Sequence, residues 1–147
     1  MNLGLDVREG DFEGRISGFL YQDGARTVIG INRSHGAARR RFTLAHEIGH
    51  YMLHSRTTTF VDHATPPTVL RRDTKSSEGT DAREVEANTF AAELLMPANF
   101  IAHDFETIDL ATEPELLIQE FAQRYDVSVQ AMTIRLVRLG HLEDPAF

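Results

Sequence analysis

The chain contains no cysteine. That single absence removes disulfide scaffolds, thiolate zinc sites and cysteine nucleophiles, so any metal must be held by His, Asp or Glu. Nor is there an apolar run of the ~20 residues that a bilayer-crossing helix needs, so no membrane partner is expected. The first residues, Met1-Asn2-Leu3-Gly4-Leu5-Asp6-Val7, lack a basic start followed by an apolar core, so no secretory signal is visible and a cytoplasmic protein is expected. Basic residues are scarce in the second half. Residues 1–75 carry 11 basic and 8 acidic groups, residues 76–147 carry 4 and 14, within a net charge of −7. A C-terminal half at −10 makes nucleic acid a poor partner. What remains is the composition of an ordinary globular protein, 147 residues long with 41% hydrophobic and 25% charged residues. One domain over 1–147 with a real core is the expectation.

Gly18 to Tyr21 and Thr27 to Asn32 are short β-branched or aromatic runs around Asp23-Gly24, which reads as a hairpin. Leu3 to Val7 offers a third strand. From Ala37 to His54 there is no proline and the apolar residues recur at helical spacing. Residues 64–80 are rich in Pro, Ser, Thr and charge and read as a loop. A helix is predicted over about 82–96, stopped by Pro97. Two more follow, about 113–125 and 129–139, with Ser128 as the N-cap of the second.

The chemistry concentrates on the first helix. His46 and His50 stand four residues apart, so both imidazoles leave one face and can bind one ion, with Glu47 beside them. In such His-Glu-x-x-His sites, zinc makes water acidic near neutral pH and the carboxylate takes its proton, which makes Glu47 the expected general base. A chain this rich in His and Glu can produce the pentapeptide by accident, and a solvated polar stripe is the bland alternative. The helical wheel argues against it. His46, His50, Thr43, His54 and Glu47 fill an arc of about 100°, and Phe42, Leu44, Ala45, Ile48, Met52 and Leu53 fill the rest. A helix that is apolar over most of its circumference is buried, and a buried His/His/Glu stripe needs a partner such as a metal.

His54 lies about 12 Å along the axis from His46, too far to share an ion, and is expected to support the site or face solvent. A metzincin would need Gly and His three and six residues after His50, where Leu53 and Arg56 stand. The third ligand therefore comes from elsewhere. His35, His63, His103 and His141 have no metal-like spacing, although His63 keeps a possible role near the site. Glu84, Glu86 and Glu93 compete on the helix of about 82–96. Its apolar residues centre near Glu84, while Glu86, Thr89 and Glu93 gather opposite. Glu84 is thus the expected ligand, with Asn88 one turn on to hydrogen-bond a ligand; Glu86 stays open. The competing reading is a capping box over Asp81-Ala82-Arg83-Glu84 with Glu84 turned back to the N-cap amide. Two His and a carboxylate suit Zn²⁺, and Mn²⁺ or Fe²⁺ as well.

Two stretches, Arg41-Phe42-Thr43-Leu44-Ala45-His46-Glu47-Ile48-Gly49-His50 and Glu84-Val85-Glu86-Ala87-Asn88-Thr89-Phe90-Ala91-Ala92-Glu93-Leu94-Leu95-Met96-Pro97, together resemble the ImmA/IrrE family of bacterial and phage metallopeptidases. The likeness covers roughly residues 27–139. It implies an intracellular, gluzincin-like zinc endopeptidase that cleaves a helix-turn-helix repressor or an antitoxin-like partner. Such cleavage derepresses genes of stress response or mobile elements. The resemblance also implies that the first Glu of the second stretch, Glu84, is the ligand. Compared with family members, little precedes Leu3 and no long sensor region follows, so a shorter N-terminal layer is expected. Residues 111–147 look like the helix-turn-helix segment often included in the family's catalytic unit. Six acids there stand against Arg124, Arg135 and Arg138, which favours packing over DNA reading.

The expected fold is α+β, a small and mainly antiparallel sheet packed on the His-bearing helix, with a helical C-terminal part. The expected function is metalloendopeptidase. The rival is a DNA- or protein-binding regulator of a toxin–antitoxin or phage module, whose metal is structural; that role has no use for an acid at Glu47.

Overall fold

A computed structural model of the chain describes residues 3–13, 15–54, 60–63, 77–109 and 111–144, and for 60–63 and 77–81 the backbone alone. The chain divides into two compact units, Met1–Ala91 and Ala92–Phe147. The architecture is α+β, with four strands and five helices among the described residues.

In the first unit, β2 (Ile16–Asp23) and β3 (Arg26–Asn32) form the expected hairpin. Asp23 pairs with Arg26 across a two-residue turn, and Gly24, at φ 43°, takes the left-handed conformation that favours glycine. β1 (Leu5–Gly10) pairs with β3, but in parallel, from Leu5 opposite Thr27 to Gly10 opposite Asn32. The chain reverses between β1 and β2 and β2 lands on the far side of β3, so β1 and β3 must run the same way. β4 (Phe60–His63), a strand with no anticipating signal, pairs antiparallel with β2. The sheet order is β1-β3-β2-β4. Two of its three pairings are antiparallel, so it is mixed.

Helix α1 (Ala37–Leu53) lies on this sheet. Leu44, Ile48 and Tyr51, at helical spacing, pack on Leu20, Ile29 and Ile31 of the sheet, with Leu5. Full burial of each such side chain stabilises by about 1.5–3 kcal/mol. No side chain caps the start of α1 at Gly36. Its arginines reach the strands instead: Arg39 donates to the Ser17 hydroxyl (3.3 Å) and Arg40 pairs with Glu9 (3.1 Å).

Helix α2 spans Ser77–Leu95, so residues 77–80, expected in the loop, are helical, and residues 64–76 lie outside the described residues. The apolar pattern that marks a helix begins only after residue 81. The polar first turns, with Gly79 among them, carry no such signal. This longer helix overturns the capping-box alternative. Asp81 is not an N-cap, and Glu84 sits in the second turn.

The second unit takes up α2 at Ala92 and adds α3 (Ala98–Glu106), α4 (Pro114–Arg124) and α5 (Val129–Arg138). The sequence did not announce α3. It is nine residues long and begins at Pro97 with no side-chain cap. Its Ile101 is fully buried, as are Phe121, Met132 and Leu136. Phe105 meets Phe121 edge-on (centroids 5.1 Å) and stacks on His141 at 4.3 Å. Four residues join α4 to α5. Asp126 turns the chain at φ 52°, and Ser128 caps α5 by accepting the Ala131 amide at 3.0 Å, as its position predicts. Arg135, only 8% exposed, points inward, donating to the Met96 carbonyl (3.0 Å) and bonding Glu93.

Candidate metal centre

The polar stripe of α1 is buried. Thr43 is 4% exposed, His46 3%, Glu47 0% and His50 1%. Two missing side chains, one on β2 and one on α1 itself, let the neighbouring elements close on the stripe. On β2, a Cβ at Gly18 would stand 2.5 Å from Thr43 Cγ2 and 3.6 Å from Glu47 Oε1. Gly49 does the same toward α2, where a Cβ would stand 3.1 Å from the Ala87 carbonyl oxygen and 3.2 Å from Phe90 Cβ. Neither glycine was singled out in the sequence. Gly49, a glycine inside a helical pattern, carried a readable signal of close approach.

That approach brings Glu84 of α2 over the two imidazoles. His46 Nε2 and His50 Nε2 lie 3.0 Å apart. Glu84 Oε2 is 3.0 Å from the first and Oε1 is 3.0 Å from the second. Burial alone pushes the Glu84 carboxyl up, but positive charge at the imidazoles, supplied by protons on His46 and His50 when no cation does so, outweighs it and holds it at about 2. The group is a carboxylate at any ordinary pH.

His46 Nδ1 is 2.8 Å from Asn88 Oδ1. An amide oxygen only accepts, so Nδ1 carries the proton and Nε2 turns a bare lone pair toward the cluster. His50 also aims Nε2 there, and two lone pairs and a carboxylate facing one point repel unless a cation lies among them. Ligands held tetrahedrally at ~2.0–2.1 Å from zinc sit roughly 3.3 Å apart, close to the spacing found. The residues therefore fit a divalent cation, and His46, His50 and Glu84 are the metal-competent cluster among the described residues.

The other sequence candidates fall into place around this cluster. Asn88 touches His46 as anticipated. Glu86 is exposed, as the wheel required, yet it reaches His54, which in turn touches His50. That cross-helix pairing spans 32 residues of sequence and had no local signal. Glu93 points elsewhere, to Arg135. His63 lies in β4, and its side chain is outside the described residues.

An α+β unit whose helix presents two His four residues apart, completed by a Glu from a second helix, has the ligand set of a metallopeptidase. The family model for the IrrE N-terminal-like domain, peptidase family M78, matches residues 1–137, and the chain belongs to that ImmA/IrrE family. It is also 37% identical over 95 residues to the "Uncharacterized immunity region protein 2" of Bacillus phage phi105. That match covers 65% of this chain and 54% of the phage protein, so the chain spans about half the length of the curated relative.

Proposed function

We propose that this protein is a zinc-dependent endopeptidase that selectively cleaves a protein partner, a helix-turn-helix repressor or an antitoxin, and so derepresses genes. The observation that carries this reading is the His46–His50–Glu84 cluster, two buried imidazoles and a half-buried carboxylate converging beside the buried Glu47. The phage immunity-region relative supports a repressor-linked setting, and a repressor would place the enzyme in the cytoplasm. Zn²⁺ is the expected ion; Mn²⁺ or Fe²⁺ would suit the same donors.

A divalent cation supplies Lewis acidity, bringing the acidity of water close to neutral pH. The protein's own side chains do the rest. His46, His50 and Glu84 hold the ion, and Asn88 holds His46 in the productive tautomer. Glu47 accepts a proton from water as its oxygen bonds to the peptide carbonyl carbon. It then passes that proton to the departing amine as the C–N bond breaks. A sheet edge offers an extended substrate segment a place to pair by strand addition.

The helix-turn-helix-like pair α4–α5 serves packing in this reading, supported by Arg135 being turned inward rather than outward. Arg124 is likewise engaged within its own unit, with Asp104 (3.3 Å) and Glu120 (2.9 Å).

The test co-incubates the protein with a candidate helix-turn-helix repressor as substrate, with Zn²⁺ supplied. Wild type is expected to give discrete fragments. Glu47→Gln should keep the metal and lose cleavage by about 10²–10⁴-fold; His46→Ala should lose both. A Glu47→Gln protein cutting at the wild-type rate removes Glu47 as the base. A metal-loaded wild type that leaves the partner intact favours the regulator with a structural ion.

A further inference from the structure

His54 closes α1 as its C-cap, with extended backbone (ψ 165°) and its amide on the His50 carbonyl at 3.0 Å. Its side chain is only 5% exposed, and its ring centroid is 4.9 Å from that of His50. His50 Nδ1 lies 2.8 Å from His54 Nδ1, and His54 Nε2 lies 2.9 Å from Glu86 Oε2. This three-membered chain runs from the metal-competent cluster to an exposed carboxylate on α2.

The direction of every proton in the chain follows from its outer end. An ionised carboxylate only accepts, so His54 Nε2 must carry a hydrogen. In a neutral imidazole the other nitrogen is then an acceptor, so His54 Nδ1 takes a hydrogen bond from His50. His50 must therefore carry its proton on Nδ1, which leaves its Nε2 lone pair bare toward His46 Nε2 and Glu84 Oε1. We infer that His54 and Glu86 are a positioning relay, locking His50 in the Nδ1–H tautomer and orientation in which Nε2 can bind a divalent cation. Neither residue is a ligand. The inference rests on reading the centre as a metal site and explains how its second imidazole is held.

The two His ligands thus receive the same support by different means. His46 faces Asn88, one turn beyond Glu84 on α2, and a single amide oxygen suffices. His50 stands a turn further along α1 and draws on Glu86 through an intervening ring. The buried His54 ring occupies the place where water would otherwise offer His50 Nδ1 either a donor or an acceptor.

Four variants test this: His54→Ala, His54→Asn, Glu86→Ala and Glu86→Gln. Asn puts an amide oxygen near the position of the imidazole Nδ1, and Gln keeps an acceptor for His54. Two measurements are made on the full chain. The first is Co²⁺ affinity by competition with a chromophoric chelator. The second is the His50 tautomer in the metal-free protein, from long-range ¹H–¹⁵N imidazole spectra near pH 8. Wild type should show His50 as Nδ1–H. His54→Ala and Glu86→Ala should lose about 10–100-fold in affinity and mix the His50 tautomers, with Asn and Gln restoring most of both. Glu86 is 58% exposed, so its variants leave the fold intact even if His54→Ala does not. Wild-type affinity and tautomer in both Glu86→Ala and His54→Ala overturn the relay while leaving the metal site standing. An Nε2–H tautomer in wild type does the same. A wild type that binds no Co²⁺ at all overturns the metal reading and the relay with it.

Discussion

Glu84 and Glu86 stand two residues apart, differ in nothing chemically, and do different work because a helix sends them about 200° apart. Glu84 is turned onto two buried imidazoles and held near a pKa of 2, whereas Glu86 lies at the surface and pairs with His54. Glu84→Ala should therefore abolish stoichiometric zinc, read by atomic absorption after dialysis, while Glu86→Ala should retain it at saturating metal. The reverse pattern would exchange their roles. This distinction was legible in the sequence from the apolar residues counted around Glu84, although Val85 and Leu94 among them are exposed and the buried face is narrower, at Ala87, Ala91 and Leu95. The link from Glu86 to His54 was not, since it depends on how two helices cross. A second residue-scale expectation concerns Tyr125, whose hydroxyl donates to Asp104 Oδ2 at 2.6 Å. The hydrogen bond from Tyr125 lowers the Asp104 pKa, with Arg124 assisting. Burial, reinforced by that bond, raises Tyr125 to about 12. The depressed Asp104 contributes stability above its ordinary value near 3.8, lost as pH falls through the lower folded value. The raised Tyr125 contributes below about 10, lost as pH climbs through about 12. Tyr125→Phe should cost about 1–2 kcal/mol between these limits and less as pH falls below them, measured as urea midpoints across an acid pH series.

Helices α1 and α2 approach closely because α1 has no side chain at Gly49. Adding one methyl puts it 3.1–3.2 Å from the Ala87 backbone, where the rigid neighbour cannot fold away. Gly49→Ala, which on an isolated helix would gain helix propensity, should instead destabilise the protein by about 1–3 kcal/mol. It should also weaken metal binding, because Glu84 reaches the imidazoles only across this gap. Thermal unfolding of the metal-free protein and a zinc titration read the two effects separately, and unchanged values in both would show that α2 can shift freely. The element boundaries show where sequence reasoning holds. α1, the hairpin, α4, α5 and the Ser128 cap follow from periodicity and turn chemistry that are local. The first turns of α2, α3 and β4 do not, because their residues have weak propensities and take their structure from neighbours distant in the chain. β1 was legible as a strand, but its parallel pairing depends on where β2 lies in the sheet.

At the scale of the whole molecule, the second unit is acidic, and two of its three arginines are engaged within it. Arg135 is buried and Arg124 is paired with Asp104 and Glu120. The sequence could count these arginines but could not show which way they point. One of the two edge strands of the sheet, β1, has its own charge pattern. Asp6 binds Arg8 at 2.8 Å and Arg26 at 3.1 Å, and Glu9 binds Arg40. Exposed pairs of this kind add under about 1 kcal/mol each to folding, so conformational stability is a poor explanation for them. Their consequence is colloidal. An open strand edge is a template for a second chain, and any chain docking on β1 must first dehydrate a row of alternating charges. Replacing Asp6 and Arg8 together by valine should leave the unfolding midpoint nearly unchanged and yet lower the protein concentration at which light scattering first reports growing particles.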